Sequence, residues 1–469
     1  MFIGRERELT ALQNQYNNSK FEFTVIYGRR RVGKTAIINE FVKDKDVIYF
    51  TGVESNAKQN LENFSQSIMS YQSDLPQGSE FTSFQDALEF VFKLAQEKRI
   101  VLVIDEYPYV AKASKSLAST LQLMIDKHKD TSKLFLILCG SSMSYMEDHV
   151  LAYKAPLYGR RTAQLKVQPF EFLEACKHFP KFSTEDKALA YGIVGGTPQY
   201  LLQLDDGLSI KENIKKIFLN PSSFLFEEPT NLLKQEVREP AIYNAIITAI
   251  ATGGTKLSEI SSKVGEDTSV CATYIRNLIS LEIVKKETPY GESSGRKTIY
   301  SIEDNMFRFW YRFVVENTSV ISRGADELAY KRIEPYLSDY MGAVFEDISK
   351  QYLWNELLND NCPVNFTDIG RWWGTNKKTR QQEKIDIMGV QDKNTALFGE
   401  CKWTNEKVDL AVLEKLIERS ELFNYKNKYF YLFAKSGFTK GCISKAEDIG
   451  NVVLIEYSEM IKKSTENIY

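Results

Sequence analysis

The chain has 469 residues, a length that at ~150 residues per domain suggests about three domains. Hydrophobic residues make up 43% and charged residues 26%, a globular balance that excludes wholesale disorder. A net charge of −2 excludes a uniformly basic nucleic-acid coat, but not local basic surfaces. The N-terminus is charged from Arg5, so no signal peptide is expected. Apolar runs such as residues 134–140 fall short of the ~20 residues that a membrane helix needs. Six scattered cysteines form no CxxC pair and predict a reduced, cytoplasmic protein. With His128, His149 and His178 as the only histidines, hydrolytic chemistry must rest on carboxylates, lysines, arginines and a metal.

An apolar run, Phe23 to Tyr27, leads into Gly28-Arg29-Arg30-Arg31-Val32-Gly33-Lys34-Thr35, and a helical pattern follows from Ala36. This is the strand–loop–helix context of a phosphate-binding P-loop. Gly28 and Gly33 let the backbone turn and present N–H groups to phosphate. The helix start adds its positive dipole end. Lys34 would reach the β- and γ-phosphates of ATP, and Thr35 would ligate Mg²⁺. The three arginines either decorate the loop or meet a partner.

A second apolar run ends in Asp105-Glu106, where Asp105 would hold Mg²⁺ and Glu106 would polarise the attacking water. A third ends in Ser141-Ser142, and Ser141 would sense the γ-phosphate or simply make a turn. Arg160 and Arg161 follow Gly159, as an arginine finger acting in cis or from a neighbouring subunit, or as a solvated turn. A finger in trans would require a homo-oligomer.

The opening Met1-Phe2-Ile3-Gly4-Arg5-Glu6 resembles that of archaeal-type AAA+/STAND ATPases, and Gly195-Gly196-Thr197-Pro198 resembles their Gly-x-Pro lid element. The resemblance implies that Phe2, Ile3 and Arg5 pack beside the adenine and that Gly196 and Pro198 close over it. It spans about residues 1–235 and covers both Walker motifs.

Residues 240–305 show three short helical patterns and then two β-like runs around a Gly/Ser turn, an order that resembles a winged helix-turn-helix. In DNA recognition the third helix would offer Thr268, Ser269, Thr273, Arg276 and Asn277, and the wing Lys285, Lys286, Arg296 and Lys297. Glu282, Glu287 and Glu292 interleave, so docking to a protein is the rival reading. The aromatic run Phe307 to Phe313 reads as interdomain core.

In the last third, Glu346 is embedded in an amphipathic helix, and Asp386 and the Glu400-x-Lys402 pair interrupt apolar strands. Glu400 and Lys402 share a strand face. Two carboxylates at hairpin distance can hold Mg²⁺ or Mn²⁺. Upstream, Arg371, Lys377, Lys378, Arg380 and Lys384 form a basic stretch. The set resembles the PD-(D/E)xK nuclease superfamily, which implies that Asp386, Glu400 and Glu346 are metal ligands and that Lys402 and Glu400 take part in catalysis. The alternative is an ion-pair core on a domain that binds without cutting.

The expected fold class is therefore α/β: a P-loop parallel sheet over residues 1–163, a helical lid over 164–235, a winged helix over 236–315 and a restriction-endonuclease-like domain over 316–469. The expected function couples ATP/ADP state to DNA binding or cleavage, with no membrane association. A nucleotide-gated switch with a protein partner is the alternative.

Overall fold

The computed structural model describes residues 2–72, 80–292 and 295–466. Met1 and residues 293–294 of the Gly/Ser turn lie outside the described residues, as does the Arg296 side chain. The chain divides into two compact units: residues 1–169 with 197–199, and residues 170–196 with 200–469.

The first unit is built on five parallel strands, β1 (Glu22–Tyr27), β2 (Val47–Thr51), β3 (Ile100–Asp105), β4 (Leu134–Gly140) and β5 (Ala163–Lys166), in the order β2-β3-β4-β1-β5. Every residue of β1, β3 and β4 is buried. Strands covered on both faces read as unbroken apolar runs, which is why these three are plain in the sequence. Helix Lys34–Val42 follows β1, and helix Tyr107–Ala113 follows β3. The second of these takes up residues that continue the apolar run of β3. Glu106 stands at φ 49° and Pro108 sits in the first turn, so the chain bends sharply where Asp105 ends the strand.

The second unit carries a two-stranded antiparallel sheet, β6 (Val284–Glu287) with β7 (Ile299–Ile302), after helices Pro240–Ala251, Leu257–Val264 and Thr268–Ser280. It also carries a mixed five-stranded sheet, β8 (Ile369–Thr375), β9 (Gln382–Val390), β10 (Thr395–Lys402), β11 (Asn427–Ala434) and β12 (Val452–Glu456), in sequential order. Strands β8, β9 and β10 pair antiparallel, and β10, β11 and β12 pair parallel. Strand β8 absorbs Arg371, so the basic stretch is a hairpin in which Trp373 opposes Lys384. The 22-residue helix Leu337–Leu358 leads into this sheet.

The aromatic run is core of the second unit: Phe307, Phe309, Trp310, Tyr311 and Phe313 are all buried, and Trp310 Nε1 donates to the Phe226 carbonyl at 2.9 Å. Phe309→Ala should therefore cost about 3–5 kcal/mol in chemical denaturation. Leu358→Ala, at a side chain 63% exposed, should stay within about 0.5 kcal/mol of the parent.

Candidate functional site

Strands β1, β3 and β4 run parallel, so the loops after Tyr27, Asp105 and Gly140 emerge at one edge of the sheet. Gly28 cannot be replaced there without strain: a Cβ would lie 2.4 Å from the Val167 carbonyl oxygen. Gly33 stands at φ 90° and opens helix Lys34–Val42. Lys34 is buried, and its ammonium donates to the Gly28 and Arg29 carbonyls at 3.0 and 2.8 Å. Burial lowers its pKa, and the nearby Glu106 and Asp105 oppose that. Within the loop, Arg29 and Val32 are buried, and Arg30 Nη2 donates to Tyr109 Oη at 3.4 Å. Arg31 adopts φ 71°, and Thr35 and Ala36 are exposed.

Thr35 Oγ1 donates to Asp105 Oδ2 at 2.9 Å. Tyr49 Oη donates to the same oxygen at 2.9 Å, and the Glu106 N–H donates to Asp105 Oδ1 at 2.9 Å. Ser141 Oγ donates to Glu106 Oε2 at 3.0 Å. A hydroxyl and a carboxylate at the loop–helix junction are the hard oxygen donors that Mg²⁺ takes. Tyr49 carries no motif and was not legible as a site residue. Burial, then Asp105, pushes its phenol pKa upward, so it stays a donor.

Arg5, at φ 71°, reaches back to the loop: its Nη2 donates to the Val32 carbonyl at 2.9 Å and its Nη1 pairs with Glu8 at 3.0 Å. Phe2 packs against the apolar layer that holds Val32 and Ile37, and Ile3 is partly buried. Pro198 belongs to the three-residue return of the chain to the first unit, with its Cγ 3.7 Å from where a Cβ on Gly33 would stand. Gly196 lies in the second unit, where a Cβ would fall 1.8 Å from the Phe170 carbonyl oxygen.

The structure does not bring Arg160 and Arg161 to the P-loop. They precede β5, whose first residue lies beside Thr24, so they sit toward the amino ends of the strands and the phosphate loop at the carboxyl ends. Arg160 is held there by both carboxylate oxygens of Asp126, at 2.9 and 2.7 Å.

In the second unit, Asp386 is buried on β9 and accepts from the Cys401 N–H at 3.1 Å. Lys384 stands 3.1 Å from Asp386 Oδ1. Glu400 is bound by Lys402 at 2.7 Å and Arg419 at 3.2 Å. Glu346 is buried, with Arg371 Nε at 3.4 Å. Burial, then the charge of Asp386, pushes the Glu346 pKa up to about 7, and the same two causes raise that of Glu400. Each carboxylate thus lies beside a cation, Arg371 being shared between Glu346 and Glu287. Among the described residues no group of three or more His, Cys, Asp or Glu side chains gathers as a metal site. Of the other candidate residues here, Thr268, Ser269, Thr273, Arg276 and Asn277 are exposed, whereas Lys285 pairs with Asp347 at 3.4 Å and Lys297 with Glu292 at 2.6 Å.

A carboxyl whose folded pKa lies above its unfolded value favours the folded state at low pH. For Glu346 that contribution is complete below about 4.5 and is lost as pH rises toward about 7. Glu346→Gln should therefore stabilise the chain at pH about 8 relative to wild type and leave it nearly unchanged at pH about 4.5, as read by urea midpoints at the two pH values.

Residues 2–204 match the family model described as an ATPase domain predominantly from Archaea, and residues 310–413 match one described as archaeal and bacterial proteins of unknown function. An uncharacterized protein of Methanocaldococcus jannaschii is 35% identical over 409 residues, covering 87% of this chain and 88% of its own length. An uncharacterized ATP-binding protein of the same organism is 43% identical over 47 residues, 10% of this chain and 80% of that protein. The fold resembles that of a Walker-type ATPase of Pyrococcus abyssi, with a TM-score of 0.51 at 19% identity over 66% of this chain and 96% of that one. Among the described residues no helix is long and apolar enough to cross a membrane. With the parallel sheet and its loop after β1, these likenesses show that the chain belongs to one family with the 35%-identical Methanocaldococcus jannaschii protein and carries, over residues 2–204, an ATPase domain of a predominantly archaeal kind.

Proposed function

We propose that the protein is an ATP-hydrolysing switch whose nucleotide state governs how its C-terminal region engages DNA. The observation that carries the hydrolytic part is the joining of Thr35, Asp105, Glu106 and Ser141 at one sheet edge by hydrogen bonds of 2.9–3.0 Å. In this reading Gly28, Gly33 and Lys34 hold the phosphates, and Thr35 and Asp105 hold Mg²⁺. The ion supplies neutralisation of phosphate charge when bound. Glu106 orients and deprotonates water, and Ser141 fixes the carboxylate that does so. Arg5 braces the loop from behind, and Pro198 covers Gly33. Arg160 and Arg161 keep a role only from a neighbouring subunit, because their position in cis is remote from the loop.

Pro198 also supports coupling. The chain visits the first unit for three residues and returns to the second on both sides, next to a Gly196 that tolerates no side chain. A nucleotide-dependent shift at Pro198 is passed along this short covalent path.

For the second unit, the order helix, three antiparallel strands, helix, strand, helix, strand supports a nuclease-like domain, with Glu346, Asp386, Glu400 and Lys402 at its candidate site. The three helices followed by a hairpin support a winged helix, with Thr268, Ser269, Thr273, Arg276 and Asn277 toward DNA. Asp386 with Glu346 or Glu400 would hold a divalent ion, which supplies water activation for phosphodiester hydrolysis. The paired state of Glu400 favours a second reading, a domain that binds without cutting.

Glu106→Gln should lower ATP turnover at least ~100-fold while ATP binding persists, and Lys34→Ala should abolish both, measured by phosphate release and nucleotide binding. Retained turnover in Glu106→Gln would sink the assignment. Wild type and Lys402→Ala should then be compared on supercoiled, linear and branched DNA with Mg²⁺ or Mn²⁺, with and without ATP. Cutting lost in the variant supports the nuclease; no cutting on any substrate leaves the switch that binds without cutting.

A further inference from the structure

The second unit contains a cavity of about 550 Å³ that no proposed step uses. Four short helical segments between Trp310 and Tyr336 build it. Arg312 comes from the π-helical turn Trp310–Val314, and Glu316 and Asn317 come from the turn that follows. Lys331 and Arg332 end helix Asp326–Ile333, and Tyr336 closes the turn after it. Isolated π-turns are rare and recur at functional sites, where the extra residue re-aims a side chain.

Three cations therefore face one acid, Glu316. Among the described residues Arg312, Lys331 and Arg332, all three exposed at the mouth of the cavity, form no ion pair. Arg332 is steadied by a neutral group instead, its Nη1 donating to Asn317 Oδ1 at 3.4 Å. Asn317 is itself buried and donates to the Phe313 carbonyl at 2.8 Å. Three positive side chains around one concave surface focus a potential that attracts an anion. Two guanidinium forks are the geometry that grips phosphate oxygens in pairs.

Tyr336 is 54% exposed, and it lines both this cavity and an adjoining one of about 350 Å³. The walls of the second cavity are more apolar, with Ile250, Ala251, Tyr300 and Tyr340. A phosphate site whose rim is an exposed aromatic ring, opening onto an apolar recess, suits a phosphate joined to a flat base. The size is that of a small-ligand site, whereas a duplex or long strand needs a row of exposed cations.

We propose that this cavity binds a nucleotide, a mono- or dinucleotide rather than a nucleic-acid strand, with its phosphate on Arg312, Lys331 and Arg332 and its base against Tyr336. This site is separate from the P-loop, and it would give the ATPase a second ligand to respond to.

The test is equilibrium dialysis of radiolabelled 5′-phosphorylated diadenylate against the full chain, with the P-loop first loaded with one equivalent of ADP and Mg²⁺ so that no free ADP competes. The proposal expects one further site with Kd below about 1 mM. R312Q and R332Q should each weaken it about tenfold, with melting temperature and ATP turnover unchanged. Tyr336→Ala should weaken diadenylate but not inorganic phosphate. Should R312Q fold poorly, K331Q carries the same test. No binding up to about 5 mM would overturn the proposal. So would equal affinity in the variants, inorganic phosphate binding as tightly as diadenylate, or binding by a short single-stranded DNA alone.

Discussion

Everything at the first unit's sheet edge depends on one constraint: Asp105 is a buried carboxylate at the end of a strand whose every residue is buried. Such a group must be satisfied where it stands. Thr35, Tyr49 and the Glu106 backbone N–H meet that demand. The same bonds draw the start of helix Lys34–Val42 to the end of β3. The turn that follows places Glu106 within reach of Ser141. The demands of a buried acid thus assemble a hydroxyl, two carboxylates and a lysine around the loop that is built to receive phosphate. Lys34 is turned onto the Gly28 and Arg29 carbonyls of that loop.

The second unit answers the same constraint differently. Asp347 on helix Leu337–Leu358 is partly buried, and burial alone would raise its pKa; Lys285, Lys350, Arg308 and Arg371 outweigh that and hold it well below the usual carboxylate range. Its neighbour Glu346 lacks enough compensation, since Asp386 adds a second negative charge close by. Removing one partner from such a network leaves an uncompensated charge, so the network resists single substitutions poorly. It also ties β6 to the helix and to β8, through Lys285 to Asp347 and through Glu287 to Arg371. The hairpin and the C-terminal sheet lie within one compact unit.

This network bears on the two readings of the C-terminal region. Of the lysines read from sequence as phosphate contacts, Lys285 is drawn to Asp347 and Lys297 to Glu292, which reduces their use at a DNA surface, whereas Lys286 is exposed. The exposed polar face of helix Thr268–Ser280 is unaffected by this. Lys402 and Glu400 share a strand face and pair at 2.7 Å.

The sequence alone determined the P-loop strand, loop and helix, the Asp105-Glu106 pair, and the alternation that puts Glu400 and Lys402 together. These are local: a strand buried on both faces is a continuous apolar run, and a phosphate loop is eight contiguous residues. The tertiary structure decided which distant groups meet. Tyr49 reaches Asp105 only because β2 lies beside β3. Arg5 grips Val32 across 27 positions of chain. Arg160 and Arg161 look like candidates in a list of arginines, and strand direction moves them to the far end of the sheet. The cavity of Arg312, Lys331 and Arg332 has no linear signature at all. Pairing of distant charges follows from the packing of whole elements, and no spacing in the chain encodes it.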